Sequence, residues 1–197
     1  ETLMNTLNKG KRININDFEN SQKRIITNLN LISSKPVIYV LNLGDNQIDT
    51  LKIDELKKII KSEGETFVEI YGLLENEIRD LENTEKQMFL SEYNIKKTGL
   101  DLLINKAYEY LNLITFYTAG PKECRAWSII NQSKAPVAAG KIHSDFQKGF
   151  IKAEVIKYSD FISAGSEDEA KKLGYLKSEG KDYIVEDGDM IHFRYNV

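Results

Sequence analysis

Hydrophobic positions change their spacing several times along the chain, and each change marks an expected element. Leu3, Met4 and Leu7 share a helical face that Gly10 is placed to end. A polar stretch from Lys9 to Asn16 follows, then a second short helix ending near Ile32. Lys35 to Asn42 is a continuous apolar, β-rich run entered through Pro36, as in a strand covered on both faces of a parallel sheet. Turn residues from Asn42 to Asn46 interrupt it. Ile53, Leu56, Ile59 and Ile60 then line one helical face, with Lys57, Lys58 and Lys61 opposite. Thr66 to Tyr71 predicts a second strand and Leu73 to Leu81 another helix. Strand, loop, helix, strand, helix is the order of an α/β sheet. Two parallel strands cannot cover their own faces, so this segment is expected to be the end of a larger domain.

Residues 84–112 read as helices broken at Thr98-Gly99, with Leu100, Leu103, Ile104, Ala107 and Leu111 at helical spacing. From Leu113 the texture changes. Leu113 to Gly120 and Glu123 to Ile129 are strand-like runs separated by Gly120-Pro121, a hairpin signal. Short helices are expected near Pro136 to Ala139 and Ser144 to Lys148, and Phe150 to Tyr158 alternates as a third strand. Two further helices, one at Ser159 to Ser163 and one capped by Ser166, precede strand-like runs at Asp182 to Val185 and Asp189 to Tyr195. Asp187-Gly188 between those runs is a hairpin dipeptide. This order describes an α+β domain of β-grasp type.

Composition narrows the class. With 41% hydrophobic and 29% charged residues, the 197-residue chain reads as ordinary globular protein, long enough for one medium domain or two small ones. A net charge of -3 offers no global argument for nucleic acid or membrane. No apolar run approaches the roughly 20 residues of a membrane helix. The single cysteine, Cys124, cannot form a disulfide within the chain, which suits a reducing cytoplasm. No Cys or His pair has zinc-ligand spacing. His143 is open to a partner-contact or a turn role; His192, Trp127 and Cys124 read as structural. Opening inside a helical pattern, with Glu1 in place of an initiator, suggests that the chain has been cut from something longer.

The residues then resemble a family. The runs Phe116 to Glu123, Arg125 to Trp127, Ala138 to Phe146, Gly149 to Val155, Gly180 to Asp189 and His192 to Val197 are similar, in order, to the TGS domain of Obg-like ATPases, the YchF family. Upstream, Ser34 to Val40 with Asn42 resembles the strand before that family's base-recognition motif. The resemblance implies three parts: the end of a helical or coiled-coil arm over residues 1–34, the closing segment of a P-loop G-domain-like α/β sheet over 35–112, and a ubiquitin-like β-grasp TGS domain over 113–197. It also implies a cytosolic ATPase that uses Mg2+ and ATP and associates with ribosomes. Other proteins would dock through the TGS domain, with no role for a membrane.

Site residues follow from that resemblance. The guanine-selecting motif of related GTPases is altered in this family to Asn-x-x-Glu, here Asn42, Leu43, Gly44 and Asp45. A carboxylate accepts from N1–H and the N2 amine of guanine, whereas adenine presents a lone pair at N1 and a donor at N6, so moving the acid changes selectivity. Asp45 stands where the family has Glu, so a preference for ATP over GTP rests on the resemblance of the whole domain. Without the family, Asn42 to Asp45 reads as a strand-ending turn. The second base-contacting loop matches Tyr71-Gly72-Leu73-Leu74-Glu75, with Gly72 in register and Tyr71 replacing a small residue. No Gly-x-x-x-x-Gly-Lys-Ser/Thr is present, so these residues alone should hold neither ATP nor Mg2+ and should not hydrolyse nucleotide. No nucleophile–base pair or close carboxylate pair is evident, which leaves a hydrolase acting through local side chains without support.

Charge in the last third is polarised. Lys122, Arg125, Lys134, Lys141, Lys148 and Lys152 face only Glu123 and Asp145 in the same stretch, while Glu167 to Asp189 is acidic. Lys122, Arg125, Lys141, His143 and Lys148 are therefore the candidate partner contacts, with ribosomal RNA phosphates as one possible target and a mixed solvated surface as the plain alternative. The rival to the ATPase reading is a non-catalytic TGS module, binding protein or RNA, attached to a relic nucleotide fold.

Overall fold

The structure is a computed structural model that describes residues 2–44, 50–92, 95–120 and 123–196, with Thr50 described by its backbone only. It is a mixed α/β protein of two compact units, Glu1–Lys106 and Ala107–Val197.

The first unit opens with α1 (Thr2–Asn8) and α2 (Asn20–Asn28). Glu19 and Gln22 cap the start of α2 reciprocally, each side chain accepting from the other's backbone N–H. Then come β1 (Ile38–Asn42), α3 (Thr50–Ser62) and β2 (Thr66–Ile70), a crossover unit whose strands pair in parallel from Ile38↔Thr66 to Asn42↔Ile70. Ile60 of α3 and Val68 of β2 are buried, and Lys57 reaches Glu69 at 2.9 Å. The rest of the apolar stripe is only half covered: Leu56, Ile59 and Val40 remain 48, 49 and 43% exposed. Two strands offer too little sheet to cover a helix on each side. The unit continues through α4 (Gly72–Glu77), α5 (Asn83–Glu92) and α6 (Gly99–Tyr110), the last crossing the division between units.

The second unit contains β3 (Leu113–Ala119), β4 (Cys124–Ile130), α7 (Ala135–Ile142), α8 (Ser144–Lys148), β5 (Phe150–Lys157), α9 (Tyr158–Ala164), α10 (Glu167–Lys172), β6 (Lys177–Glu179) and β7 (Asp189–Tyr195). Its five strands lie in the order β4-β3-β7-β5-β6, with β7 parallel to β3 and antiparallel to β5. The core lies between this sheet and α7. Phe116 packs edge-to-face on Phe193 at 5.9 Å, and Ala135, Ala138 and Ala139 of α7 are fully buried. Alanine on the packed face lets the helix axis approach the sheet, while Pro136 starts the helix where no N–H is needed. As read from the sequence, Ser166 caps α10, its hydroxyl accepting from Glu169 N.

Two expectations fail here. Asp182 to Val185 is not a strand paired to β7 through an Asp187-Gly188 hairpin. Ala135 N–H donates to Tyr183 O and Val185 N–H to Ser133 O, so this segment bonds to the entrance of α7 and makes only an isolated bridge, Lys134↔Ile184. The Asp187-Gly188 turn instead docks on β3: Gly188 N–H donates to Thr115 O at 2.8 Å, and Asp187 Oδ1 accepts from Thr115 N at 2.8 Å. The short polar strand β6, absent from the sequence reading, pairs with β5 and forms that edge of the sheet. Among the described residues no helix is long and apolar enough to cross a membrane.

Candidate functional site

The loops that follow β1 and β2 leave the sheet side by side, because Asn42 and Ile70 are register partners at the carboxyl ends of parallel strands. Ligands of open parallel sheets bind outside those ends. Leu43 N–H donates to Ile70 O at 2.8 Å, extending the pairing one step beyond the strand. The Asn42 side chain then crosses to the second loop, its Oδ1 accepting from Gly72 N–H at 3.1 Å. A Cβ at position 72 would sit 2.8 Å from Asn42 Oδ1, so this bond requires glycine there. Among the described residues nothing lies within 4 Å of where a Cβ on Gly44 would be. Thus Asn42 and Gly72 come together with Leu43 held beside them, Gly44 only follows in the chain, and Asp45 lies outside the described residues.

Neighbouring residues hold this corner. Tyr71 is the N-cap of α4 and is 40% exposed. Glu75 does not stand free beside the loop: its carboxylate accepts from Gly99 N–H, at the first turn of α6. A Cβ on Gly99 would fall 2.6 Å from Ile70 Cγ2, so glycine allows the start of α6 to press against the end of β2. Thr98, 4% exposed, accepts from Asp101 N at 3.1 Å and donates its hydroxyl to Asp101 Oδ2 at 2.7 Å. The Thr98-x-x-Asp101 spacing was a readable cap. That Glu75 reaches Gly99 across 24 residues was not.

The candidate partner residues do not form one constellation. His143 ends α7 and caps α8, its Nδ1 accepting from Asp145 N at 3.3 Å; the Asp145 carboxylate lies 3.5 Å from that ring nitrogen and 4.0 Å from Lys148 Nζ. Lys141 projects from the last turn of α7 and is exposed. Arg125, on β4, stacks its guanidinium 4.6 Å from the Trp127 ring centroid, and Trp127 Nε1 donates to Thr118 Oγ1 at 3.0 Å. Lys122 lies outside the described residues.

A polar cluster that the sequence reading missed sits where β5 meets the entrance of β7. Asp189 is fully buried and accepts from Lys157 Nζ at 2.7 Å, Tyr183 Oη at 2.7 Å and Glu186 N at 2.9 Å. Burial works against the Lys157 charge, but bonds to Asp189, Glu186 and Tyr183 outweigh it and hold the ammonium above its usual range. Burial, reinforced by Asp189, pushes the Tyr183 phenol up to about 12. The signal available in the sequence was a lone acid heading an otherwise alternating apolar strand. Among the described residues no group of His, Cys, Asp or Glu is placed to hold a metal ion.

Comparison with known proteins gives a consistent picture. The family model YchF-GTPase_C, described as "Protein of unknown function (DUF933)", matches residues 113–196. A Buchnera aphidicola protein named Ribosome-binding ATPase YchF is 43% identical over 187 residues, covering 95% of this chain and 51% of the relative. A Bacillus subtilis protein of the same name is 40% identical, covering 92% of this chain and 50% of its own length. The chain thus spans about half the length of the curated relatives it matches. The solved Schizosaccharomyces pombe YchF GTPase superposes with a TM-score of 0.74 at 33% identity, over 90% of this chain and 48% of that one. A GTP binding protein from Pyrococcus horikoshii shares the fold, with a TM-score of 0.59 at 19% identity over 83% of this chain and 47% of its own.

Proposed function

This chain belongs to the YchF family, matching its C-terminal portion, and from that premise we propose that it forms the base-recognising and partner-docking part of a ribosome-associated P-loop ATPase. The observation that carries the reading is the Asn42–Gly72 bond, which fastens the two loops together at the carboxyl ends of adjacent parallel strands. A bound base would lie against the backbone of Leu43 and Gly44, with Asn42 acting as the strut that fixes the loop spacing. Glu75 supports the corner from behind by anchoring α6. ATP is the proposed nucleotide, with GTP second, and Mg2+ would be held with the phosphates by residues other than those described here. The half-covered stripe of Val40, Leu56 and Ile59 supports a sheet that continues beyond β1 and β2.

In this reading residues 1–34 end a helical arm, 35–112 close the nucleotide-binding sheet, and 113–197 form a TGS domain of the β-grasp class. Supporting that class, a hairpin, a packed helix and a central last strand parallel to the first are its parts. The docking target is the ribosome, which the relatives' names state for those proteins, and a ribosomal partner places the protein in the cytoplasm.

The test is calorimetry of ATP and of GTP on the longest product of the gene that carries a Gly-x-x-x-x-Gly-Lys-Ser/Thr loop, with and without Asn42→Ala. ATP should bind more tightly than GTP, and loss of the strut should weaken binding by about tenfold, one to two kcal/mol of loop ordering and hydrogen bonding. Unchanged affinity in Asn42→Ala would remove the base-site assignment. Absence of any nucleotide binding by that product would favour the non-catalytic TGS module instead. Sedimentation with ribosomes at rising salt checks the docking half, since phosphate contacts weaken steeply as salt increases.

A further inference from the structure

β4 is an edge strand of seven residues, paired to β3 without a register break from Leu113↔Ile130 to Ala119↔Cys124. The hydrogen bonds flanking the hairpin fix which of its backbone groups face outward. Asn131 N–H donates to Asn112 O at 2.8 Å, and Gly120 N–H donates to Glu123 O at 3.0 Å. Hydrogen-bonded pairs recur at every second residue of an antiparallel ladder, so Arg125, Trp127 and Ile129 turn their N–H and C=O toward β3. Cys124, Ala126, Ser128 and Ile130 turn theirs away. The Ile130 carbonyl is taken by Ser133 N–H at 3.2 Å, while the outward groups of Cys124, Ala126 and Ser128 have no backbone partner among the described residues.

The opposite edge of this sheet, β6, has three residues, short enough to discourage pairing. β4 lacks such protection: it is long and regular, with neither proline nor bulge. Beside it, between the strand and α7, runs a groove of about 390 Å³ lined by Ile129, Ile130, Val137, Lys141 and Gln147 among others. Val137 and Ile130 are 50 and 62% exposed, so the groove presents apolar surface to solvent. Among the described residues, Lys141 is the one charged residue lining it, and Arg125 lies on the strand itself. Neither cation forms an ion pair among the described residues.

We propose that the β4 edge is a strand-addition site for an extended protein segment that alternates apolar residues and carries acidic residues at its ends. The outward N–H and C=O groups of Cys124, Ala126 and Ser128 would continue the ladder, and alternate apolar side chains of the partner would enter the groove over Val137. Acidic flanks would meet Arg125 and Lys141. Charge selects this occupant over a second copy of the chain, which would bring the same two cations to the edge. The proposal is independent of nucleotide binding and would survive failure of the base-site assignment.

The experiment uses the whole chain and a synthetic peptide of about ten residues, alternating valine with threonine between aspartate pairs. Fluorescence anisotropy gives affinity, and NMR-detected amide exchange gives the location. The expected result is slowing by at least about tenfold at the amides of Cys124, Ala126, Ser128 and Ile130, with Arg125, Trp127 and Ile129 unchanged because they are already bonded. Ala126→Pro removes one outward donor at a position where an edge strand tolerates proline, and should weaken the peptide by about tenfold or more. Lys141→Glu should weaken it several-fold at low salt and less at high salt. Should Ala126→Pro fail to fold, amide exchange in the unaltered chain decides. No binding, binding without protection of the outward amides, concentration-dependent protection without peptide, or displacement of the peptide by single-stranded RNA that binds Ala126→Pro equally well would each overturn the proposal.

Discussion

Replacing Asp189 by asparagine changes almost no volume and tests whether the buried carboxylate holds the second unit together. Asp189 Oδ1 takes the Lys157 ammonium, and Oδ2 takes both the Tyr183 hydroxyl and Glu186 N–H. An amide has one oxygen and one donor group. If the oxygen stays with Tyr183 and Glu186, an NH2 group points at a cation; if it turns to Lys157, two donors lose their acceptor. At least one charge-assisted bond at a fully buried position is lost, about 1.5–3 kcal/mol, against about 3–5 kcal/mol when one member of a fully buried pair is removed. Lys157 is a third exposed and keeps Glu186 at 2.8 Å, which argues for the lower part of that span. We expect a loss of about 2–3 kcal/mol, a substantial part of the 5–15 kcal/mol typical of a domain. Trp127, the single tryptophan, packs against the same core and reports urea unfolding of this unit. With a urea slope of about 1–2 kcal/mol/M, the midpoint should fall by about 1–3 M. Lys157→Met should also destabilise, and the double variant should lose less than the sum of the two. A loss below about 0.5 kcal/mol in Asp189→Asn, or strict additivity, would refute a coupled network.

The same cluster sets an alkaline limit. Lys157 and Tyr183 both titrate above their ordinary values of 10.5 and 10.0, so their contribution is complete below about pH 10 and is lost as pH rises through the folded values; thermal melts should show this fall, and Asp189→Asn should flatten it. Gly149→Ala would drive a methyl group into the Asn196 carbonyl, backbone that cannot swing aside, and should cost about 1–3 kcal/mol by denaturation with loss of exchange protection where Asn196 N–H meets Gly149 O. In the first unit, Gly72→Ala should expel the Asn42 side chain, so Asn42→Ala and Gly72→Ala together should cost less than their sum by about 0.5–1.5 kcal/mol in urea unfolding.

Much of this structure could be read locally. The period of Ile53 to Ile60 gave a helix, the unbroken run at Val37 to Leu41 a parallel strand, and Ser166 a capped helix start, because each signal lies within a few consecutive residues. Asn42 and Gly72 were singled out as candidates through family resemblance, since Asn and Gly in a turn are otherwise ordinary. Their direct contact, 30 residues apart, appears only in three dimensions. The segment Asp182 to Val185 looked like a strand because its composition suits one, yet the free backbone groups it met belonged to the entrance of α7.

What the sequence alone determined, then, was the period, the caps and the order of the elements, because backbone hydrogen bonds and side-chain direction within an element depend on neighbours in the chain. Tertiary structure decided that β7 lies between β3 and β5, that Glu75 anchors α6, that Asp189 gathers Lys157 and Tyr183, and that β4 is left as an edge. Each of those outcomes joins groups far apart in sequence. They are selected by burying Phe116, Phe193 and the α7 alanines together while giving every buried side-chain nitrogen and oxygen among the described residues a partner, a condition that no short window of residues contains.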